Sequence, residues 1–208
     1  MHWARGDGVV DDTHALQAAL DVSDNVQFDG LYRISDALIL RHGQRVRLSA
    51  RTRVWQIRPD RNAFVATDVD DILISLGSGE IRGAGGWSRL WTGNQGWEGF
   101  RGIRLVGYRI VRIVGPGRLT NWASAAIDVT DCADVECRDL TISGTHRFGQ
   151  SLVRENNFQN GIYITNDRRW GAAEAVTITG CDISGVAQGC LARGTAARVR
   201  TDPDDYRQ

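Results

Sequence analysis

The chain is built from short segments in which apolar and polar residues alternate, and those segments recur at a nearly constant interval. They include Val26-Gln-Phe28, Val46-Arg-Leu48, Ile72-Leu-Ile74, Ile103-Arg-Leu105, Val111-Arg-Ile113, Ile127-Asp-Val129, Val135-Glu-Cys137, Ile162-Tyr-Ile164 and Val176-Thr-Ile178. Period-two alternation puts one face of a strand in an apolar interior and the other in water. Gly, Asn, Asp or Ser bounds each segment, so turns separate the strands. Val46 to Ile72 is 26 residues, Ile103 to Ile127 is 24, Val111 to Val135 is 24, and Cys137 to Ile178 is 41. The first three intervals suit one coil of a stacked structure, and the last needs an insertion. A strand this short buries little alone, so such repeats predict a solenoid in which each coil covers the apolar face of the next.

One helix is expected, near the N-terminus. Asp11, Asp12 and Thr13 are suited to cap it, because a short side-chain oxygen accepts from unpaired backbone N–H groups. Ala15, Leu16, Ala19 and Leu20 then recur at helical spacing, and the helix should end near Asp21 to Asp24. Three regions follow from this reading: a cap segment over 1–24, a body of about six coils over 25–192, and a polar tail over 193–208. Two stretches break the period, 85–99 and 144–160, and are expected to be loops inserted into the body.

Composition narrows the function. The 25 basic and 25 acidic residues balance, which argues against a nucleic-acid surface, because phosphate binding needs a basic excess. No apolar run is long enough to cross a membrane, and no signal-peptide core is visible at the start. The four cysteines, Cys132, Cys137, Cys181 and Cys190, have no CxxC pairing, so they are expected to be small buried hydrophobes rather than zinc ligands or disulfides. Asp128, Asp131 and Asp167 are oxygen donors of the kind calcium takes, but nothing in the sequence groups them; no metal or cofactor is expected.

The run GDGVVDDTHALQAAL over 6–20 resembles the opening of pectate-lyase-superfamily β-helices. FDGLYRISDALILRHGQRVRL over 28–48 looks like their first coils. ISLGSGEIRGAGGW over 74–87 is similar to a glycine-rich phrase of polygalacturonases, with Arg82 where that family has Asp. The run 101–144 follows the same coil pattern. The resemblance implies an all-β, single-stranded right-handed parallel β-helix with one N-terminal capping helix. It also implies a polysaccharide partner, cleaved by glycoside hydrolases of this kind and bound by phage tailspikes. Polygalacturonases carry Asn-x-Asp-Gly and, one coil later, Gly-Asp-Asp-Cys. Here Asn160 stands in place of the first acid, and Gln188 and Gly189 in place of the other two. An amide cannot exchange the proton that glycoside hydrolysis needs.

Other side chains must then carry any cleavage. Glu155 and Asp167 are candidates for a carboxyl pair that protonates the leaving oxygen and activates water. His146 beside Arg147 or Arg154 would suit a lyase, which needs a base next to a cation holding the uronate carboxylate. Trp87, Trp91, Trp97 and Trp122 are candidates for a sugar-stacking platform, and Asn160 for a substrate-binding amide. The blander reading of these residues is solvated loop charge and loop packing. Asn25, Asn121, Asn157 and Asn160 also suit corner positions. A non-catalytic carbohydrate-binding or structural β-helix, part of a phage tailspike or adhesin, is the alternative function. The polar tail makes a poor apolar plug for the last coil, so homotrimeric packing would serve to cover it. An extracellular or virion-associated location is expected.

Overall fold

A computed structural model describes residues 4–85, 101–107, 109–122, 124–144, 160–165, 175–184, 188–193 and 199–201; for residues 160, 188, 189, 191–193 and 199–201 it places the backbone alone. Strand β1 (Asp7–Asp11) and helix α1 (Thr13–Val22) open the chain. The chain then makes repeated passes through the same positions. The first consists of β2 (Asn25–Phe28), β3 (Leu31–Ile34) and β4 (Leu38–Ile39). The second is β5 (Arg45–Leu48), β6 (Arg53–Gln56) and β7 (Phe64–Thr67). The third is β8 (Ile72–Ser75), β9 (Glu80–Arg82) and β10 (Arg101–Val106). In the fourth, one long strand β11 (Ile110–Thr120) replaces the first two, followed by β12 (Ala125–Thr130). The fifth is β13 (Asp134–Ser143) and β14 (Asn160–Thr165), and the sixth β15 (Ala175–Thr179), β16 (Asp182–Ser184) and β17 (Gln188–Arg193). β18 (Val199–Thr201) begins another.

Every pairing among these strands is parallel. They form two sheets, one of twelve strands and one of six, the latter ordered β17-β14-β12-β10-β7-β4. The fold is therefore mostly β, with one helix among the described residues. Parallel strands need a long return connection, and here the return runs through the other sheet.

Like side chains stack from pass to pass. In the six-stranded sheet Phe64, Ile103, Ile127, Ile162 and Cys190 are register partners in turn. In the larger sheet Ile74, Ile113, Cys137 and Ile178 align likewise. Phe64, Ile103, Ile127, Ile162, Ile74, Ile113 and Cys137 are fully buried. The spacings of 24 and 41 residues match this register. The spacing of 26 does not: Val46 pairs with Ile74, two residues beyond Ile72. Two residues preserve the inward parity of the strand, so the hydrophobic pattern alone cannot separate the two registers.

Capping of α1 differs from expectation in detail. The Asp12 side chain turns away from the helix and accepts from the N–H groups of Arg5 (2.7 Å) and Gly6 (3.1 Å). No side chain caps the helix at that position, and Asp11, one residue earlier, accepts from the N–H of the first helical residue, Thr13, at 3.0 Å. Among the described residues seven glycines have positive φ, and the other such positions are held by Asp68, Asp71, Asp131 and Asp139 together with Ser78 and Asn121. Asp, like Asn, tolerates this conformation. Cys132, Cys137 and Cys181 are buried and Cys190 is half-buried. Burial pushes the Cys137 thiol well up and the Cys190 thiol to about 11.

Candidate functional site

The outward positions of the six-stranded sheet form rows that run across the strands. One row is Val65, Arg104, Asp128, Tyr163; the next is Thr67, Val106, Thr130, Thr165. Their neighbours along each strand, such as Ile103, Leu105, Ile127 and Val129, fill the interior, so parity sends these rows outward. Asp128 is the only carboxylate in the described strands of this sheet.

Asp128 is nonetheless buried, at 3% exposure. Its carboxylate pairs with the Nε of Arg101, itself 7% exposed. The Thr130 hydroxyl donates to Asp128 Oδ1 at 3.3 Å, and the Thr130 and Thr165 hydroxyls lie 3.0 Å apart. With its one proton committed to Asp128, Thr130 accepts from Thr165. Asn62 fixes the start of β10 by accepting from the Arg101 N–H at 3.1 Å, and Gln56 in turn donates to the Asn62 carbonyl at 2.7 Å. Burial pushes the Asp128 carboxyl above the ordinary carboxylate value, opposed by Arg101, Arg104 and the Thr130 bond. The site thus joins a buried carboxylate, a guanidinium group, two hydroxyls and a tyrosine on one sheet face, and the Arg101 guanidinium reaches Asp128 from the first residue of β10. Guanidinium groups in such a place suit recognition of an acidic sugar. A lone carboxylate tied to arginine does not make the two-carboxyl pair of glycoside hydrolysis.

Asn160 and Gln188, the two amides at the acid positions of the polygalacturonase pattern, are register partners on β14 and β17. His146, Arg147, Arg154, Glu155, Asn157, Asp167, Trp87, Trp91 and Trp97 lie outside the described residues. Trp122 does not belong to an exposed platform. It is 4% exposed and its indole N–H points to the Ile81 carbonyl at 3.4 Å. A Cβ at Gly83 would come within 2.9 Å of that ring, so glycine there makes room for it. Asn121 does hold a corner, with φ 63° and its amide donating to the Gly83 carbonyl at 2.9 Å. Sequence reasoning missed Arg101, Thr130 and Thr165. The available signal was the 24-residue repeat itself, which sets Arg104 against Asp128 in adjacent coils.

A solved structure shares this fold. It is described as a "putative glycosyl hydrolase" from Parabacteroides merdae. The two chains are 18% identical, superpose with a TM-score of 0.61, and align over 98% of this chain and 93% of that one. At that identity the likeness speaks for the arrangement of the backbone. No protein-family model matches the sequence, and comparison with curated proteins gives no match. Among the described residues no three His, Cys, Asp or Glu side chains group to hold a metal ion, and no helix is long and apolar enough to cross a membrane.

Proposed function

We propose that the chain is a right-handed parallel β-helix of the pectate-lyase superfamily that acts on acidic or capsular polysaccharide outside the cell or on a virion. The glycan lies across the strands of the six-stranded sheet, with Arg104 and Tyr163 beneath it and the buried Arg101–Asp128 pair joining the strands that carry them. The observation that carries this reading is the outward row Arg104, Asp128, Tyr163, which sets cation, anion and aromatic in register on consecutive strands. The description of the Parabacteroides merdae protein as a glycosyl hydrolase agrees with it. Hydrolysis would draw on Glu155 and Asp167, elimination on His146 with Arg147, and sugar stacking on Trp87, Trp91 and Trp97. Homotrimeric packing would cover the last coil.

A second reading, a glycan-binding β-helix without cleavage, is favoured by the amides Asn160 and Gln188 at the acid positions. One assay separates the two. Purified protein is incubated with polyuronates and bacterial capsules, and reducing ends and unsaturated products are measured. New reducing ends without ultraviolet absorbance mean hydrolysis, and absorbance means elimination. Binding without either product selects the second reading, and neither binding nor product removes both.

A further inference from the structure

Outside that site, the twelve-stranded sheet carries a cluster of arginines around a half-exposed indole. Val54, Ile81 and Leu119 on β6, β9 and β11 are fully buried, so the residues that alternate with them face out. Two adjacent outward rows result. Arg33, Trp55, Arg82 and Thr120 are register partners across β3, β6, β9 and β11, and so are Leu31, Arg53, Glu80 and Arg118. Strand spacing places the members of each row about 4.8 Å apart. Four arginines thus share this face with Glu80, and the same rows run on to Asp7 and Asp11 on β1 and Asp182 on β16.

The arginines divide into two kinds. Glu80 neutralises the second row, at 3.1 Å from Arg53 and 3.5 Å from Arg118, and also accepts from the Thr120 hydroxyl at 2.7 Å. Arg33 and Arg82 instead flank the Trp55 indole from the two neighbouring strands, at 5.5 and 5.7 Å from the ring centroid. Neither forms an ion pair among the described residues. Arg33 donates to the Val9 carbonyl at 3.0 Å while its Nε has no partner. Asp11, beside Arg33 on the edge strand, is engaged by Thr13 and Ser35. Trp55 is 41% exposed. Two guanidinium groups held apart by a rigid, half-exposed indole keep their charge available at a fixed spacing.

We propose that this face is a second binding surface, for an acidic polysaccharide whose carboxylates pair with Arg33 and Arg82 over the edge of Trp55. The proposal rests on the polysaccharide reading above and adds to it a site on the other sheet. All 25 basic residues of the chain are arginine, the cation whose planar fork fits a carboxylate with two hydrogen bonds. A uronate polymer offers one charge per sugar, which suits isolated arginines. Duplex nucleic acid offers one per about 1.7 Å, and Glu80 in the middle of the cluster would repel it.

The test is affinity electrophoresis of the full chain through gels holding polygalacturonate, bacterial capsule, neutral dextran or double-stranded DNA, with thermal unfolding as the control for folding. Retardation by polygalacturonate, weakening with salt and absent in dextran, is expected. Arg82→Glu should weaken it about tenfold and the neutral Arg82→Gln about threefold, in keeping with loss of one charge-assisted contact. Unchanged affinity in both folded variants overturns this surface and leaves the polysaccharide reading standing. Tighter binding to DNA than to polygalacturonate also overturns it. No retardation of the unaltered chain by polygalacturonate or bacterial capsule overturns both.

Discussion

Arg101 and Asp128 form an ion pair across β10 and β12 with side chains only 9% and 4% exposed. Two charges so placed have lost most of their hydration, and each depends on the other to offset it. Asp128→Asn should therefore destabilise the fold by about 3 kcal/mol, the usual scale for removing one member of a buried pair. Replacing both residues with apolar side chains of similar volume should cost less than the single change. Urea unfolding of the three variants measures the difference. Equal stability of Asp128→Asn and the parent would show that Arg101 does not depend on this carboxylate.

The acid limb of the stability curve should contain two opposed contributions. Asp29, Asp60 and Asp71 are held below the ordinary carboxylate value, chiefly by hydrogen bonds from Arg51, Arg58 and Arg45 respectively. A depressed folded-state value means stability that is present above the unfolded value of about 3.8 and is lost as pH falls through the folded values. Asp128 is raised by burial, so its sign is opposite. The protonated form is favoured in the folded state, and that contribution is lost as pH rises from 3.8 through the folded value. Carboxyl carbon shifts followed by NMR should show Asp128 titrating above 3.8 and the other three below it. The reverse order would contradict the burial and the pairing described.

The repeat and its inward positions were legible because parity and spacing record which side of a strand is buried, and Ile103, Ile127 and Val135 fall where those two signals agree. The pairing of Val46 with Ile74 was not, because a shift of two residues leaves the pattern unchanged. For Trp122 the sequence left platform and packing both open, for a related reason. Composition shows an aromatic near glycines, but only the fold shows that Gly83 leaves space for its ring. The sequence offered Asp128 only as an ungrouped oxygen donor and gave no sign of Arg101, since a buried pair has no signature until the strands that carry it are set side by side.

Core truncation should be costly in the middle of the stack. Ile127 is fully buried between Ile103 and Ile162 on the neighbouring strands. Ile127→Ala removes three carbons from a site with no mobile neighbour to refill it, and should cost about 2–5 kcal/mol in urea unfolding. Gly77→Ala should also be severe although Gly77 contributes no packing. Its φ of 45° disfavours any Cβ, and that Cβ would fall against the Leu48 carbonyl. A loss under about 1 kcal/mol at either position would mean that the passes shift more freely than this register allows.

Cleavage, if the chain performs it, must find two carboxyls beyond the six-stranded sheet's one described acid. Asp167 follows β14 by two residues, and Glu155 precedes it by five, so both lie on the connections that enter and leave the strand whose Tyr163 pairs with Asp128. Asp128 is poorly suited to the proton-transfer role, because it is buried, tied to Arg101, and has one oxygen occupied by Thr130. Glu155→Gln and Asp167→Asn are therefore expected to lower hydrolysis of polygalacturonate or capsule by about a hundredfold or more, the scale of a lost general acid or base. Asp128→Asn, assayed well below its unfolding midpoint, should instead weaken substrate binding and leave turnover of bound substrate within severalfold. Unaltered turnover in Glu155→Gln and Asp167→Asn would remove that pair as the acid and base. Turnover lost only in Asp128→Asn would move the chemistry onto the sheet.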